Sequence, residues 1–400
     1  MTTFAPNTAA EVLAAVEWVL AGEAQLEIVG NGSKRGIGRP AQTEHTLDLS
    51  KLTGVTLYEP EELVLSARAG TPLAEIEALL AERGQELAFE PMDYSRLLGL
   101  EAGGGKAGTI GGVLAANLSG PRRLKAGAAR DHVLGIHAVS GRGEAFKSGG
   151  RVVKNVTGYD LSKVMAGSWG TLAAVTDVTF KVLPRAETET TVALRGLDDE
   201  RACDAMAAAL GSSAEVSAAA HLPELVASTV AGGLGSDPAT LLRIEGFGPS
   251  VAYRVEMLRR LFGRHVQTIE DRASRALWTD IRDVAPFADG TQRPVWRVSM
   301  APSQGWRMMA ELRMHAAVSA FYDWQGGLVW LRMEGEPEAD GLRALIKHFG
   351  GGHATLVRAA PAVRAAVSVF EPQAPALAAL TERMKAEFDP KGILNPGRMA

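Results

Sequence analysis

The most constraining feature of this 400-residue sequence is the segment from Gly149 to Leu172, where glycines are unusually dense. They fall at positions 149, 150, 158, 167 and 170. Chains place glycines this closely where the backbone approaches a ligand or adopts positive φ. The segment also contains Asp160, and a β-rich run from Ala173 to Leu183 follows it. The pattern predicts either a glycine-rich turn between two strands or one wall of a ligand site.

A second glycine loop follows the apolar stretch Leu26 to Val29, which reads as a strand. The loop consists of Gly30, Asn31, Gly32, Ser33 and Lys34. Its glycines allow successive amide N–H groups to face one anion, and the serine hydroxyl adds a donor. No helix-forming sequence follows at once, so this is not a Rossmann dinucleotide fingerprint. An ordinary turn is the competing interpretation.

A third loop runs from Gly108 to Gly120 and consists almost entirely of small residues. Small side chains suit a helix N-terminus that lies against a flat ring and a phosphate. A tightly packed small-residue helix is the alternative. The preceding Gly103 to Thr109 is not a P-loop, because Lys106 is followed by alanine rather than serine or threonine.

These three loops occur in a fixed order, and the chain closes with the run Phe388 to Arg398, which is rich in proline and glycine. Together they resemble the FAD-binding domain of the vanillyl-alcohol-oxidase and p-cresol-methylhydroxylase type. Within that superfamily the sequence most resembles the FAD-binding subunits of bacterial glycolate oxidases. The resemblance covers residues 1–184 and 386–400 well, and covers the middle only by its pattern of helices and strands.

The resemblance implies an α+β fold with three parts. We expect a two-subdomain FAD-binding domain over residues 1–184 and a cap domain with an antiparallel sheet over residues 185–385. A tail over residues 386–400 is expected to return to the FAD domain. The residues agree with this division, since helix and strand patterns alternate before Pro184 and again after Thr188.

The resemblance also implies which residues contact FAD. The loop from Gly30 to Lys34 offers no histidine or cysteine for a covalent link, so we expect non-covalent FAD. Asn395 is expected near the isoalloxazine ring. The full set of predicted contacts is Gly30, Asn31, Gly32, Ser33, Lys34, Thr109, Gly111, Gly112, Ala116, Asn117, Ser119, Gly120, Asp131, Lys154, Gly158, Asp160, Gly170, Thr171, Leu172, Val175 and Asn395.

Composition and charge limit the other kinds of cofactor and partner that this chain could bind. The single cysteine, Cys203, cannot form an internal disulfide or hold an iron–sulfur cluster, and no histidine pair has metal-ligand spacing. Pro121 to Arg185 carries a local charge excess of +7, while the whole chain has −4. Its basic residues lack interleaved aromatics, so an anion pocket or an acidic partner is favoured over nucleic acid.

No apolar run is long enough to span a membrane, and Ala9 to Ala21 is amphipathic rather than a signal peptide. We expect a cytoplasmic protein, with peripheral contact at the inner membrane through partner subunits left open.

Three functions remain open at this point. The resemblance implies a flavin-bearing subunit that works beside a catalytic flavoprotein subunit and an iron–sulfur subunit of a glycolate oxidase. The paired-histidine metal motif of related catalytic subunits is not found, and no catalytic residue is assigned. A self-sufficient 2-hydroxy-acid dehydrogenase would have to use Tyr159, Arg297, Arg332 or His353. A scaffold whose flavin is only structural is the third possibility.

Overall fold

The computed structural model describes residues 2–100, 107–151, 158–231, 234–263 and 266–399. Its first part contains a three-stranded parallel sheet of order β1-β3-β2 and a five-stranded antiparallel sheet of order β4-β5-β9-β7-β8. The strands are β1 (Thr2–Phe4), β2 (Leu26–Val29), β3 (His45–Asp48), β4 (Val55–Glu59), β5 (Val64–Arg68), β6 (Gln85–Glu86), β7 (Val133–Ser140), β8 (Ala145–Gly149), β9 (Ala173–Lys181) and β10 (Leu183–Pro184). The helices are α1 (Ala9–Ala21), α2 (Leu73–Ala81), α3 (Ile110–Ala116), α4 (Arg123–Ala126), α5 (Ala129–His132) and α6 (Leu161–Met165).

Helix α1 illustrates how the sequence produces the first layer. Thr8 caps it by accepting a hydrogen bond from the Glu11 backbone N–H at 3.2 Å. Apolar residues recur at the helical period, so one stripe is buried in a cluster that joins strands β2 and β3 of the parallel sheet with β7 and β9 of the antiparallel sheet. The C-terminal tail joins this layer through a parallel bridge between Leu26 and Leu394.

The second part is built on an antiparallel sheet whose described strands follow the order β14-β11-β13-β12-β16-β17-β15-β18. These strands are β11 (Thr188–Arg195), β12 (Ala218–Leu222), β13 (Ala239–Gly246), β14 (Gln267–Glu270), β15 (Val295–Met300), β16 (Val318–Asp323), β17 (Leu328–Met333) and β18 (Gly352–Arg358). The accompanying helices are α7 (Asp199–Leu210), α8 (Glu224–Ala227), α9 (Gly248–Phe262), α10 (Asp271–Arg282), α11 (Pro302–Leu312), α12 (Ala339–His348), α13 (Pro361–Ala366) and α14 (Pro375–Phe388).

Strand β15 has two unlike faces, because successive side chains in a strand point to opposite sides. Trp296, Val298 and Met300 pack with residues of α11 and α12 in one apolar cluster. Arg297 and Ser299, which alternate with them, point to the other face of the sheet and line a cavity facing the first part. The sequence pattern of β15 therefore fixes which side of the cap sheet carries polar groups.

The two parts are held together by a buried ion cluster. Arg243 on β13 lies 2.6 Å from Glu90 and 2.8 Å from Glu189, and Arg122 lies 3.1 Å from Glu90. Burial alone would raise the pKa of Glu90, but the two guanidiniums outweigh it and lower this pKa to about 2. Because breaking such a buried cluster leaves an uncompensated charge, it holds the cap sheet firmly against the first part. Arg122 is thus committed to internal partners and does not add to the basic surface of residues 121–185.

The predicted α+β class, with an antiparallel sheet in the cap, is confirmed. The domain limits 1–184, 185–385 and 386–400 stay predictions, and α14 runs across the last of them. Helix α11 begins at Pro302, because proline suits the first turn of a helix. In the part of the chain that the structure describes, no helix is long and apolar enough to cross a membrane.

Candidate functional site

A narrow cleft lies between the loop after β2 and the start of α3. We call it the glycine-loop cleft; it consists of two adjoining cavities of about 80 Å³ each. Its shared lining is Ile28, Val29, Gly30, Thr109, Gly112, Ala115 and Trp169. A short strand followed by a glycine turn brings the backbone of the loop directly against the side chain of Thr109.

The glycines of the cleft are required for different physical reasons. A Cβ on Gly30 would lie 2.5 Å from Thr109 Oγ1, so no larger residue fits there. Gly32 has φ +76°, which favours glycine. A Cβ on Gly112 would lie 3.4 Å from Thr109 Oγ1 and 3.5 Å from Lys34 Nζ, an ordinary contact that places any longer side chain in the cleft. Gly111 instead faces Ala69, whose carbonyl oxygen would lie 2.8 Å from an added Cβ. Glycine is therefore required at position 111 because α3 packs closely against the chain after β5.

Lys34 differs from Arg35 and Arg398, the other basic residues that line this cleft, because both arginines lie within 4 Å of Glu27. Lys34 Nζ lies 3.2 Å from Ser33 Oγ, and among the described residues no carboxylate lies within ion-pairing distance of it. Burial lowers the pKa of the Lys34 ammonium to about 8, against the weaker opposing field of Asp93. A desolvated ammonium beside glycine amides is the donor set that a diphosphate accepts. The residues present therefore fit the pyrophosphate of FAD.

Many of the predicted contact residues come together around this cleft. They are Gly30, Asn31, Gly32, Ser33, Lys34, Thr109, Gly111, Gly112, Gly170, Val175 and Asn395. Ala116, Asn117 and Ser119 line a second cavity next to it, and Thr171 and Leu172 line a surface groove beside the tail.

Other predicted residues lie outside these cavities, each for a local reason. Asp131, in the first turn of α5, accepts a hydrogen bond from the backbone N–H of the preceding Ala128 at 2.9 Å. Asp160 is the N-cap of α6 and accepts from the Lys163 backbone N–H at 3.4 Å. An added Cβ on Gly120 would lie 2.6 Å from the Glu90 carbonyl oxygen, so that glycine serves packing. Gly158 is exposed, with φ +81°. Lys154 lies outside the described residues.

The residues that line the cleft and that sequence reasoning missed include Ala115, Trp169 and Arg398. Trp169 has φ +53°, and its carbonyl accepts a hydrogen bond from Asn395 Nδ2 at 2.7 Å. Asn395 Oδ1 in turn accepts from the Ile28 backbone N–H at 2.8 Å. The tail therefore fastens the tryptophan turn to β2. The position of Trp169 between Gly167 and Gly170 was the sequence feature that could have indicated its place in the cleft wall.

The second cavity, of about 300 Å³, lies between the cap sheet and the first part; we call it the interdomain cavity. Of the four residues considered for a self-sufficient enzyme, Arg297 and His353 line it. Tyr159 is 90% exposed, away from any described cavity. Arg332 is committed to ion pairs with Glu334 at 2.7 Å and Asp289 at 2.9 Å.

Cys203 and His221 have the surroundings of structural residues. Burial raises the pKa of the Cys203 thiol to about 12, which leaves it unreactive. His221 is buried, with Nδ1 3.0 Å from Thr240 Oγ1 and Nε2 3.3 Å from Asp199 Oδ1. In the described ranges, no group of three histidine, cysteine, aspartate or glutamate residues is arranged to hold a metal ion.

Comparison with known proteins agrees with this geometry. A family model described as an FAD binding domain matches residues 2–149. The glycolate oxidase subunit GlcE of Escherichia coli is 34% identical over 396 residues, which cover 97% of this chain and 96% of that protein. The chain belongs to the GlcE family of glycolate oxidase subunits. It is an FAD-binding oxidoreductase chain, and the predicted family and cofactor are confirmed.

More distant matches place the GlcE family within a wider group. The glycolate oxidase subunit GlcD of Bacillus subtilis is 33% identical over 171 residues, which cover 42% of this chain and 34% of GlcD. The crystal structure of p-cresol methylhydroxylase has a TM-score of 0.72 at 14% identity, covering 99% of this chain and 88% of that one. The second match shows the same fold, as the sequence predicted.

Proposed function

We propose that this chain is the flavin-bearing subunit of a glycolate oxidase complex and works beside a catalytic flavoprotein subunit and an iron–sulfur subunit. The alignment with GlcE over nearly the whole length of both chains carries this proposal. The name of GlcD, a second glycolate oxidase subunit with which this chain aligns, supports a complex of several subunits. One cysteine cannot hold a cluster, so any iron–sulfur wiring has to lie on another chain.

In this proposal the residues of the glycine-loop cleft hold the cofactor. Lys34, Ser33 and the amides around Gly32 bind the pyrophosphate, and Gly112 leaves room beside it. Asn395 and Arg398 fix the tail across the cleft, since Arg398 donates to the Lys34 carbonyl at 2.7 Å. When bound, FAD supplies an acceptor for two electrons that can pass them on singly.

The surroundings of His353 favour a subunit over a self-sufficient enzyme. Partial desolvation at the cavity wall, with the nearby positive charge of Arg297, lowers the pKa of His353, so its imidazole is neutral at pH 7 and able to accept a proton. However, the residue is exposed, and no hydrogen bond from the described residues orients its ring. A general base has to be held within hydrogen-bond reach of the proton that it removes. We therefore assign no catalytic base to this chain.

The test is to express the chain alone, load it with FAD and add glycolate anaerobically. We expect slow or absent flavin reduction, restored when the partner subunits are added. Rapid bleaching at a rate adequate for turnover would establish the self-sufficient dehydrogenase instead. A folded protein that takes up no flavin and still supports an active complex would establish the scaffold function.

A further inference from the structure

Arg297 is a half-buried arginine that lines a cavity. It points from β15 into the interdomain cavity, and in the described part of the chain no carboxylate lies within 4 Å of its guanidinium. Its close neighbour is Trp324, whose ring centroid lies 4.9 Å from the guanidinium carbon. Charges withdrawn from water in proteins are normally paired, so a half-buried arginine that faces a cavity and has no carboxylate partner among the described residues is suited to bind an anion.

The charges around Arg297 do not supply that anion. Asp323 is the acid whose field reaches it, but Asp323 accepts a hydrogen bond from the Trp324 backbone N–H and forms no ion pair with Arg297. Burial raises the pKa of Asp323 to about 7, so its negative charge is only partly present at neutral pH. The second arginine of the cavity, Arg123, lies 3.1 Å from Asp131 and repels Arg297 rather than neutralising it. Burial, with Arg123, lowers the pKa of Arg297.

The polar groups near Arg297 form a patch that the sheet register creates. Arg297 pairs with Thr355 across β15 and β18, and Ser299 pairs with His353. Cross-strand partners lie side by side on one face of a sheet. All four therefore face the cavity, and Tyr94 of the first part lines the same cavity. A guanidinium with neighbouring hydroxyls offers donors for a carboxylate and for one further oxygen.

The size and the walls of the cavity limit what can bind. About 300 Å³ is at the small end of ligand sites, and Met92, Val357 and Phe370 supply apolar walls. Trp169 lines both this cavity and the glycine-loop cleft, so a bound ligand lies next to the flavin site. A single unpaired guanidinium suits the planar, bidentate charge of one carboxylate.

We propose that the interdomain cavity binds the carboxylate of a small 2-hydroxy or 2-oxo acid on Arg297, with Ser299 and Thr355 contacting its second oxygen function. This deepens the proposed function and rests on it for the neighbouring flavin. The site positions an anion; it does not by itself provide proton removal, because His353 is not oriented. Binding without turnover is therefore expected of the isolated chain.

The test uses the full chain loaded with FAD and titrates oxalate, glycolate and inorganic phosphate by calorimetry, with the flavin absorption spectrum recorded in parallel. We expect oxalate and glycolate to bind and to perturb the spectrum. Arg297→Met should weaken oxalate binding by roughly 10- to 100-fold, the worth of a charge-assisted hydrogen-bonded pair. Arg297→Lys keeps the charge but loses the planar fork, so its affinity for oxalate should lie between those of the unaltered chain and Arg297→Met. Arg307→Gln, an exposed arginine on α11, is the matched control and should bind oxalate as the unaltered chain does.

The outcomes separate this inference from the proposed function. Full flavin occupancy in every variant shows that the cavity variants are folded. If the loaded chain binds no oxalate, or if Arg297→Met binds it with unchanged affinity, the inference is wrong while the flavin-subunit function stands. Phosphate binding as tightly as oxalate, with the same dependence on Arg297, would refute the carboxylate class. A chain that never retains FAD would contradict the proposed function, and oxalate calorimetry on that flavin-free chain would still decide whether Arg297 binds a carboxylate.

Discussion

Replacing Lys34 with methionine should have opposite effects on stability and on FAD affinity. The pKa of the Lys34 ammonium falls from 10.5 to about 8 in the folded chain because the group is desolvated. At about 1.36 kcal/mol per pH unit, holding it charged costs about 3 kcal/mol at full burial. The side chain keeps some contact with solvent through the cleft, so we expect about 2 kcal/mol.

The sign follows from proton linkage. Between pH 8 and 10.5 the unfolded chain keeps the Lys34 proton while the folded chain has lost it, so the free energy of unfolding rises with pH in that window. Below pH 8 both states are protonated and the full cost is present. In the flavin-free protein, Lys34→Met should thus be more stable than the unaltered chain at pH 7. That advantage should shrink to nothing near pH 10.5.

FAD binding should respond the other way. The methionine offers no charge to the pyrophosphate, so the FAD dissociation constant should rise roughly 10- to 100-fold, as expected for losing a charge-assisted hydrogen bond. Urea unfolding of stripped protein at pH 7 and 10.5, with an FAD fluorescence titration, measures both effects. Lys51→Met, at an exposed lysine, is the control and should change neither. A destabilised Lys34→Met, or unchanged FAD affinity, would refute the assignment of Lys34 as the cation that binds the pyrophosphate.

Three further predictions concern the cofactor. Gly112→Val should give folded, colourless protein, because the added methyl groups enter the cleft. Gly341→Val is the control, since Gly341 is likewise the third residue of its helix but is exposed, and this variant should keep its flavin. Full flavin in Gly112→Val would show that the loop is misplaced. Asn395→Ala should weaken FAD retention, because the Ile28 N–H and the Trp169 carbonyl each lose a hydrogen-bond partner, at a cost of about 1–3 kcal/mol for each group. Lys391→Ala in the same tail is the control and should leave FAD retention unchanged. Equal FAD dissociation constants for Asn395→Ala and the unaltered chain would contradict this prediction. Acid precipitation should release FAD into the supernatant, and flavin that stays with the denatured chain would mean a covalent link.

The sequence predicted those parts of the cleft that depend on local backbone geometry. Gly30 and Gly32 were found because glycine has a steric reason to stand there, and Gly112 because small residues cluster around it. Asp131 and Asp160 hydrogen-bond to the first turns of helices, and their contact with the cofactor stays a prediction, since an aspartate in such a segment has the same appearance whether it binds a ligand or caps a helix. Trp169 was missed because large side chains are more often core than cofactor wall.

The interdomain cavity was beyond sequence reasoning for a different reason. Arg297 and His353 stand 56 positions apart and meet only because β15 and β18 pair in one particular register. The alanine run of strand β12 carries no β signal, and without this strand the order of the cap sheet cannot be derived. Register and strand order are properties of packing across long sequence distances, and a single sequence does not contain them in readable form.

Trp169 connects these observations, because it forms a wall shared by the glycine-loop cleft and the interdomain cavity. Its backbone carbonyl accepts a hydrogen bond from Asn395, and the Arg398 guanidinium carbon lies 5.8 Å from its ring centroid. The C-terminal tail therefore holds Trp169 in position. Phe370 packs on it from the cap side, with ring centroids 5.5 Å apart. A loosened tail should therefore disturb both sites at once, whereas the loss of Arg297 should disturb only the cavity. The two proposed sites thus have separate ligands and one common support, and the comparison of Asn395→Ala with Arg297→Met measures how far the support couples them.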